Sequence, residues 1–240
     1  MPLVHALASH FLAAVAGAVL CTLWINRRAA PPWLRGPFLP TRLSELPSCP
    51  FELLAKWVGE AEAVLGFLEA HAMVVSTSSS ADGGATARTV VLQECSPQGL
   101  VFGSNRHSLK SRQAQQDSRA EAVLRFGQRQ VRVRGELRLD DSRSSDSFGR
   151  VMPTARQGLQ LLQQGVKIDE DAWQQLRSRL PRSTSGDAPM PPSSYAAFVL
   201  EPHSVEFYSG GSPFYFNDRF LYVRRGSAEA GFAPPERLQP

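Results

Sequence analysis

Apolar and polar positions along this chain fall into two rhythms, one helical and one alternating. From Ser48 the run "SCPFELLAKWVGEAEAVLGFLEA" brings Leu54, Val58, Ala61, Leu65 and Leu68 onto one face, with Pro50 near its start, which predicts an amphipathic helix. Strand-like runs follow at "MVVSTS" (73–78), "ARTVVLQ" (87–93), "LVFGS" (100–104), "AEAVLRF" (120–126) and "RQVRVRGELRL" (129–139), and "ADGG" (81–84) is a turn signal between the first two. The polar stretch "SLKSRQAQQD" (108–117) suits a short helix, Gln-rich helical segments run from about 140 to 180, and two or three last strands begin at Tyr195. Six or more mostly antiparallel strands with helices inserted late predict a mainly β (α+β) barrel with helical excursions, and no internal repeat is visible.

Ahead of this pattern the chain reads differently. Residues 1–26 carry no Asp, Glu, Lys or Arg, and "FLAAVAGAVLCTLWI" (11–25) is nearly all apolar. Counted back to Leu3 the segment reaches the length that spans a bilayer. With Arg27 and Arg28 next, it reads as an anchor that leaves the following domain in the cytoplasm. An organellar, for example mitochondrial, presequence is the rival reading, since arginines recur at Arg35 and Arg42 and no acidic residue precedes Glu45; a secretory signal ranks third. The expected division is therefore 1–40, an apolar anchor or presequence with the Pro-rich linker "RAAPPWLRGPFLP", and 41–240, one folded domain.

Composition narrows the function. A net charge of +4, with basic residues grouped after the apolar run and between 125 and 138, favours local anion sites over a surface that coats nucleic acid. Cys21, Cys49 and Cys95 form no CxxC pair and have no histidine at metal spacing, so they read as reduced and buried, with no metal site. No GxSxG, GxGxxG or GxxxxGK[ST] occurs, and His71, His107 and His203 stand apart from any nucleophile. A catalytic residue is not assigned.

Four features carry candidate chemistry. In "ARTVVLQ" alternation places Arg88 with Val90 and Leu92, while Thr89 and Val91 face the other way; an arginine among apolar neighbours is expected to be paired, and a salt bridge is the plain reading. In "GSNRHSLKSR", Ser104, Ser108 and Lys110 cluster where a strand gives way to a helix, an anion-binding arrangement, although a serine there also suits capping alone. In "GQRQVRVRGEL", Arg132 and Arg134 share a face with Gln130, and Arg134 and Arg138 read as an outward basic face. Finally Phe207, Tyr208, Phe214, Tyr215, Phe216, Phe220 and Tyr222 hold a third of the chain's aromatic residues near Arg219, which suits stacking on a flat anionic ligand or filling a core.

In this order, "CPFELLAKWVGEA", "ARTVVLQ", "NRHSLKSRQ", "RQVRVRGEL", "VLEPHSVEFY", "NDRFLYVRR" and "ERLQP" resemble the pyridoxamine 5'-phosphate oxidase family over about residues 46–240. The resemblance implies an FMN-binding split β-barrel with peripheral helices. It also implies a homodimer with FMN at the subunit interface, and oxygen-dependent oxidation of vitamin B6 phosphates to pyridoxal 5'-phosphate. It places Arg88, Thr89, Val90, Val91, Leu92, Ser104, Ser108, Lys110, Gln130, Gln164, Tyr208 and Arg219 at flavin-binding positions, with Leu109 where an arginine and Tyr208 where a tryptophan are usual.

The substrate side departs from the family. Where it grips a substrate phosphate with a lysine, a tyrosine, an arginine and a serine, this chain has Gln93, Ser147, Val151 and Ala155; where it covers the ring with Arg-x-His, this chain has Tyr215 and Asn217. Arg156 is the one residue placed to compensate after a small register shift. The expectation is an FMN-dependent oxidoreductase acting on a small molecule of less negative charge. The alternative is a flavin- or B6-vitamer-binding protein without catalysis. Membrane contact is expected through residues 1–26, and nucleic-acid binding is not.

Overall fold

A computed structural model describes residues 42–79, 84–162, 165–179, 190–210, 217–226 and 231–239. The expected anchor or presequence, and with it Cys21, lies outside the described residues, as do Gln164, Phe214, Tyr215 and Phe216. Among the described residues no helix is long and apolar enough to cross a membrane.

The elements in chain order are α1 (Pro50–Leu65), α2 (Phe67–Ala70), β1 (Ala72–Ser79), β2 (Gly84–Val91), β3 (Glu94–Ser96), β4 (Gly99–Asn105), α3 (Leu109–Gln116), β5 (Arg119–Phe126), β6 (Arg129–Asp140), α4 (Ser144–Arg150), α5 (Pro153–Leu161), α6 (Glu170–Ser178), β7 (Tyr195–Ser209), β8 (Asp218–Val223) and β9 (Glu236–Arg237). The strands form one antiparallel sheet in the order β2-β1-β5-β6-β7-β4-β3, with β8 on β7 and β9 on β8. Its two ends meet where the Gln93 N–H donates to the Val101 carbonyl at 2.8 Å, just past β2 and within β4. The result is a barrel whose long strand β7 gives one edge to β6 and divides the other between β4 and β8.

Alternation explains which side chains fill it. Val131, Val133 and Leu137 of β6 point inward against Ala122 and Leu124 of β5 and Val205 and Phe207 of β7, all buried. Helix α1 closes one side with Phe51, Leu54, Trp57, Val58 and Ala61; Trp57 meets Phe207 edge-on at 5.2 Å, and the Arg129 guanidinium lies over its ring, 4.7 Å from the centroid. The predicted stripe is shorter than its sequence suggests. Gly66 breaks the helix at φ +80°, so Leu65 and Leu68 are exposed. Cys49 and Cys95 are free and half-buried rather than buried. Of the late aromatics, Phe207, Phe220 and Tyr222 are core residues, and Tyr222 donates to the Pro47 carbonyl at 3.0 Å, with burial holding its phenol up at about 12. A bulge between Arg134 and Gly135 lets β7 pass so close that a Cβ on Gly135 would lie 1.8 Å from the Glu201 carbonyl oxygen.

Candidate functional site

The strand–turn–helix segment from β4 into α3 builds a polar cluster around a buried lysine. Lys110, in the first turn of α3, is only 3% exposed. Its ammonium donates to Ser104 Oγ at 2.7 Å and to Ser108 Oγ at 3.0 Å. Ser108 is the N-cap residue but makes no side-chain capping bond, so the capping reading of that serine does not hold; its hydroxyl serves the lysine. Burial first, and the nearby Arg88 charge second, bring the lysine down to about 8.

Arg88 reaches the same place from β2. Its guanidinium donates to the Val75 carbonyl at 3.1 Å, to Thr77 Oγ1 at 2.8 Å and to Thr86 Oγ1 at 2.5 Å. Both threonine hydroxyls donate in turn to Oε1 of Gln113, a fully buried side chain one turn along α3 from Lys110. The expected salt bridge to Arg88 is therefore absent: neutral oxygens hold it, and among the described residues no carboxylate pairs with either cation. A cavity of about 440 Å³ opens onto Arg88, Thr89, Val90, Ser104 and Lys110 together. Two cations, the arginine depressing the lysine and burial lowering both, have only neutral partners among the described residues and form a site that an anion would stabilise.

Next to this cluster the protein is closed by a neutral network. Ser147 Oγ donates to Gln93 Oε1 at 2.5 Å and lies 2.8 Å from the Tyr195 hydroxyl, while Gln93 Nε2 donates to the Ser147 carbonyl at 3.1 Å. Ser147 and Tyr195 are buried, and burial raises the phenol pKa of Tyr195. The ring fits because residue 103 is glycine: a Cβ there would sit 1.7 Å from the tyrosine oxygen. Beside the network a second cavity of about 460 Å³ is lined mainly by apolar side chains, among them Phe67, Val91, Val151, Met152, Ala155 and Leu159. Arg156 does not compensate for the missing phosphate grip. Its guanidinium is spent on the Gly149 and Val151 carbonyls at the end of α4.

The remaining candidates gather elsewhere. Gln130 pairs with Tyr208 across β6 and β7, and Tyr208 with Arg219 across β7 and β8, so the three form one row. Arg219 grips both oxygens of Glu206 at 3.0 Å, Glu206 also meets Arg132 at 3.5 Å, and Arg132 meets Glu121 at 2.7 Å. The outward arginines are thus interleaved with carboxylates: Arg134 pairs with Glu121, and Arg138 with Glu136 and Glu201. Ser104 faces Ala196 at the start of β7, whereas Tyr208 lies twelve residues further along it. At about 3.3 Å per residue that is roughly 40 Å of strand. Among the described residues, the cavity at Arg88 and Lys110 is not lined by Gln130, Tyr208 or Arg219. Leu92 is a core side chain whose N–H is taken by the His71 carbonyl, and Asn217, just before β8, lines neither of these two cavities.

A scan against family models gives no match. The chain is, however, 31% identical over 195 residues to a pyridoxine/pyridoxamine 5'-phosphate oxidase from Burkholderia cenocepacia (strain HI2424), covering 80% of this chain and 89% of that one. It is 31% identical over 202 residues to the same enzyme from Microcystis aeruginosa, covering 82% and 91%. The chain belongs to the pyridoxine/pyridoxamine 5'-phosphate oxidase family. Among solved structures, PhzG from Burkholderia lata 383, in complex with tetrahydrophenazine-1-carboxylic acid, superposes with a TM-score of 0.70 at 24% identity over 85% of this chain and 98% of that one. A pyridoxamine 5'-phosphate oxidase-related, FMN binding protein from Nostoc punctiforme does so at 0.63 and 20%, over 79% and 96%. These likenesses confirm the split-barrel fold.

Within the oxidase family, the departures noted in the sequence acquire a physical form. Gln93 and Ser147 come together, and they satisfy each other and Tyr195. Val151 and Ala155 reach the neighbouring cavity with apolar surface only. Thr77, Thr86, Gln113, Gly103 and Tyr195 escape sequence reading, since their importance rests on hydrogen bonds and contacts between residues far apart in the chain.

Proposed function

We propose that this chain is an FMN-dependent oxidoreductase of the pyridoxamine 5'-phosphate oxidase type, working as a homodimer, with an altered substrate. The observation that carries this is Lys110, buried beside Arg88 with hydroxyls as its only partners among the described residues. The donor set fits a phosphate: the Arg88 guanidinium, the Lys110 ammonium and the Ser104 hydroxyl line one cavity, and Ser108, at the N-terminus of α3, holds the ammonium from behind. FMN, when bound, supplies two-electron chemistry that no side chain here provides. In this reading Arg88 and Lys110 anchor the phosphate, and Thr77, Thr86 and Gln113 fix the guanidinium so that little freedom is lost on binding. The row Gln130, Tyr208 and Arg219, remote along β7, serves the site of a second copy, with Glu206 orienting the arginine. A second reading, a flavin- or vitamer-binding protein without catalysis, is favoured only by the closed Gln93–Ser147–Tyr195 network.

The lysine gives the test a sign. Free of ligand it titrates at about 8. A bound phosphate raises that value, so above it binding must take up a proton. FMN affinity should therefore fall by up to about tenfold per pH unit above pH 8. It should also weaken below about pH 6, as the phosphate loses its second charge. Quenching of flavin fluorescence on titration of the full chain measures this; equal affinity at pH 7 and pH 9.5 would remove Lys110 from the site.

A further inference from the structure

Resting on that reading, we infer that the cavity beside the anion cluster selects an uncharged, apolar ring compound and rejects a phosphorylated one. The two cavities share Gly103, Leu159 and Tyr195, so whatever fills the second lies against whatever the Arg88–Lys110 cluster holds. Its volume of about 460 Å³ is in the range that small-molecule sites occupy. Its mouth is apolar: Phe67, Leu68, Val91 and Met152 are each substantially exposed there.

The polar groups at the cavity are already committed. The Gln93 amide bonds Ser147 and Tyr195. Arg150 is the lining residue with a positive charge; it meets Glu94 at 3.3 Å and donates to the Gln93 carbonyl at 3.2 Å. Arg143, nearby, is shared between Glu94 at 3.2 Å and Asp140 at 3.4 Å. Among the described residues that line this cavity, then, no cation is left for a substrate phosphate once the Arg88–Lys110 cluster next door is occupied, and the desolvation of that phosphate here has no compensation. Each charge-assisted contact that is missing lowers affinity by about ten- to a hundredfold. A flat apolar ring meets no such cost, and it gains by covering Phe67, Val91, Val151 and Met152.

A matched pair of probes isolates the phosphate. FMN-loaded full-length protein is titrated with 2-naphthol and with 2-naphthyl phosphate, and binding is followed by calorimetry and by perturbation of the visible flavin spectrum. The expected result is that 2-naphthol binds at least about tenfold tighter, and that Val151→Arg, which adds a cation to the wall, reverses the order. Equal or tighter binding of the phosphate by the unaltered protein overturns the inference, as does failure of both probes to bind, the outcome if a second copy covers the cavity. The same calorimetry on flavin-free protein, with excess inorganic phosphate filling the Arg88–Lys110 cluster, keeps the two claims apart. Loss of FMN binding with the naphthol preference intact sinks only the flavin assignment.

Discussion

Replacing Lys110 by Met removes tight FMN binding and at the same time raises the melting temperature of the flavin-free protein. The two effects have opposite sign because the lysine is costly until an anion arrives. It is 3% exposed, depressed to about 8 by burial and by Arg88, and held, among the described residues, by Ser104 and Ser108 alone. A methionine fills similar volume without a charge to desolvate, so the flavin-free fold gains. Each kcal/mol gained raises the midpoint by about 2–4 °C for a chain of this size. In the loaded protein a charge-assisted contact contributes about 1.5–3 kcal/mol, so affinity falls by about ten- to a hundredfold. Adding Arg88→Met takes the loss to about a hundred- to ten-thousandfold. Fluorescence titration and a thermal scan read both signs. A variant that binds FMN as well as the parent contradicts the assignment; one that loses FMN but also melts lower shows that the lysine is a fold residue.

Mixing two crippled chains should restore part of the flavin binding that neither shows alone. The Arg88–Lys110 cluster and the Gln130–Tyr208–Arg219 row stand at opposite ends of β7, with Ser104 facing Ala196 at one end and Gln130 facing Tyr208 at the other. If each site combines the cluster of one copy with the row of another, a dimer of a Lys110→Met, Arg88→Met chain with an Arg219→Met, Tyr208→Ala chain has one intact site and one doubly damaged site. Random re-pairing makes about half of the dimers mixed, so about a quarter of all sites recover. Separate refolding followed by mixing, or no recovery at any ratio, distinguishes the outcomes: no recovery in mixed dimers shown to exist by mass means that each site lies within one chain.

Much of the barrel is legible in the sequence because strand alternation and burial have the same cause. Arg88 with Val90 inward and Thr89 with Val91 outward, and the Gln130, Arg132, Arg134 face of β6, follow from period two alone. What is not legible depends on partners distant in the chain. The break of α1 at Gly66 strands Leu65 and Leu68 in solvent, although their spacing continues the stripe. The three-residue strand β3 is too short to show a period. At the site, proximity of Ser104, Ser108 and Lys110 was visible as a local motif, whereas the carboxylate expected beside Arg88 is replaced by two threonines and Gln113, more than twenty residues further on. Of the two readings open for Phe220 and Tyr222, stacking on a ligand or filling a core, the structure takes the second, and Tyr195, which completes the Gln93–Ser147 network, carries no signal beyond the start of a strand.

The central claim is that this cluster exists to hold a flavin phosphate. Riboflavin and FMN share the ring and differ in that group alone, so their dissociation constants for the full-length protein at pH 7 test it most directly. FMN should bind about a hundred- to ten-thousandfold tighter, since two charge-assisted contacts depend on the phosphate. Riboflavin binding within about threefold of FMN, on a scale where each such contact is worth tenfold or more, would contradict it.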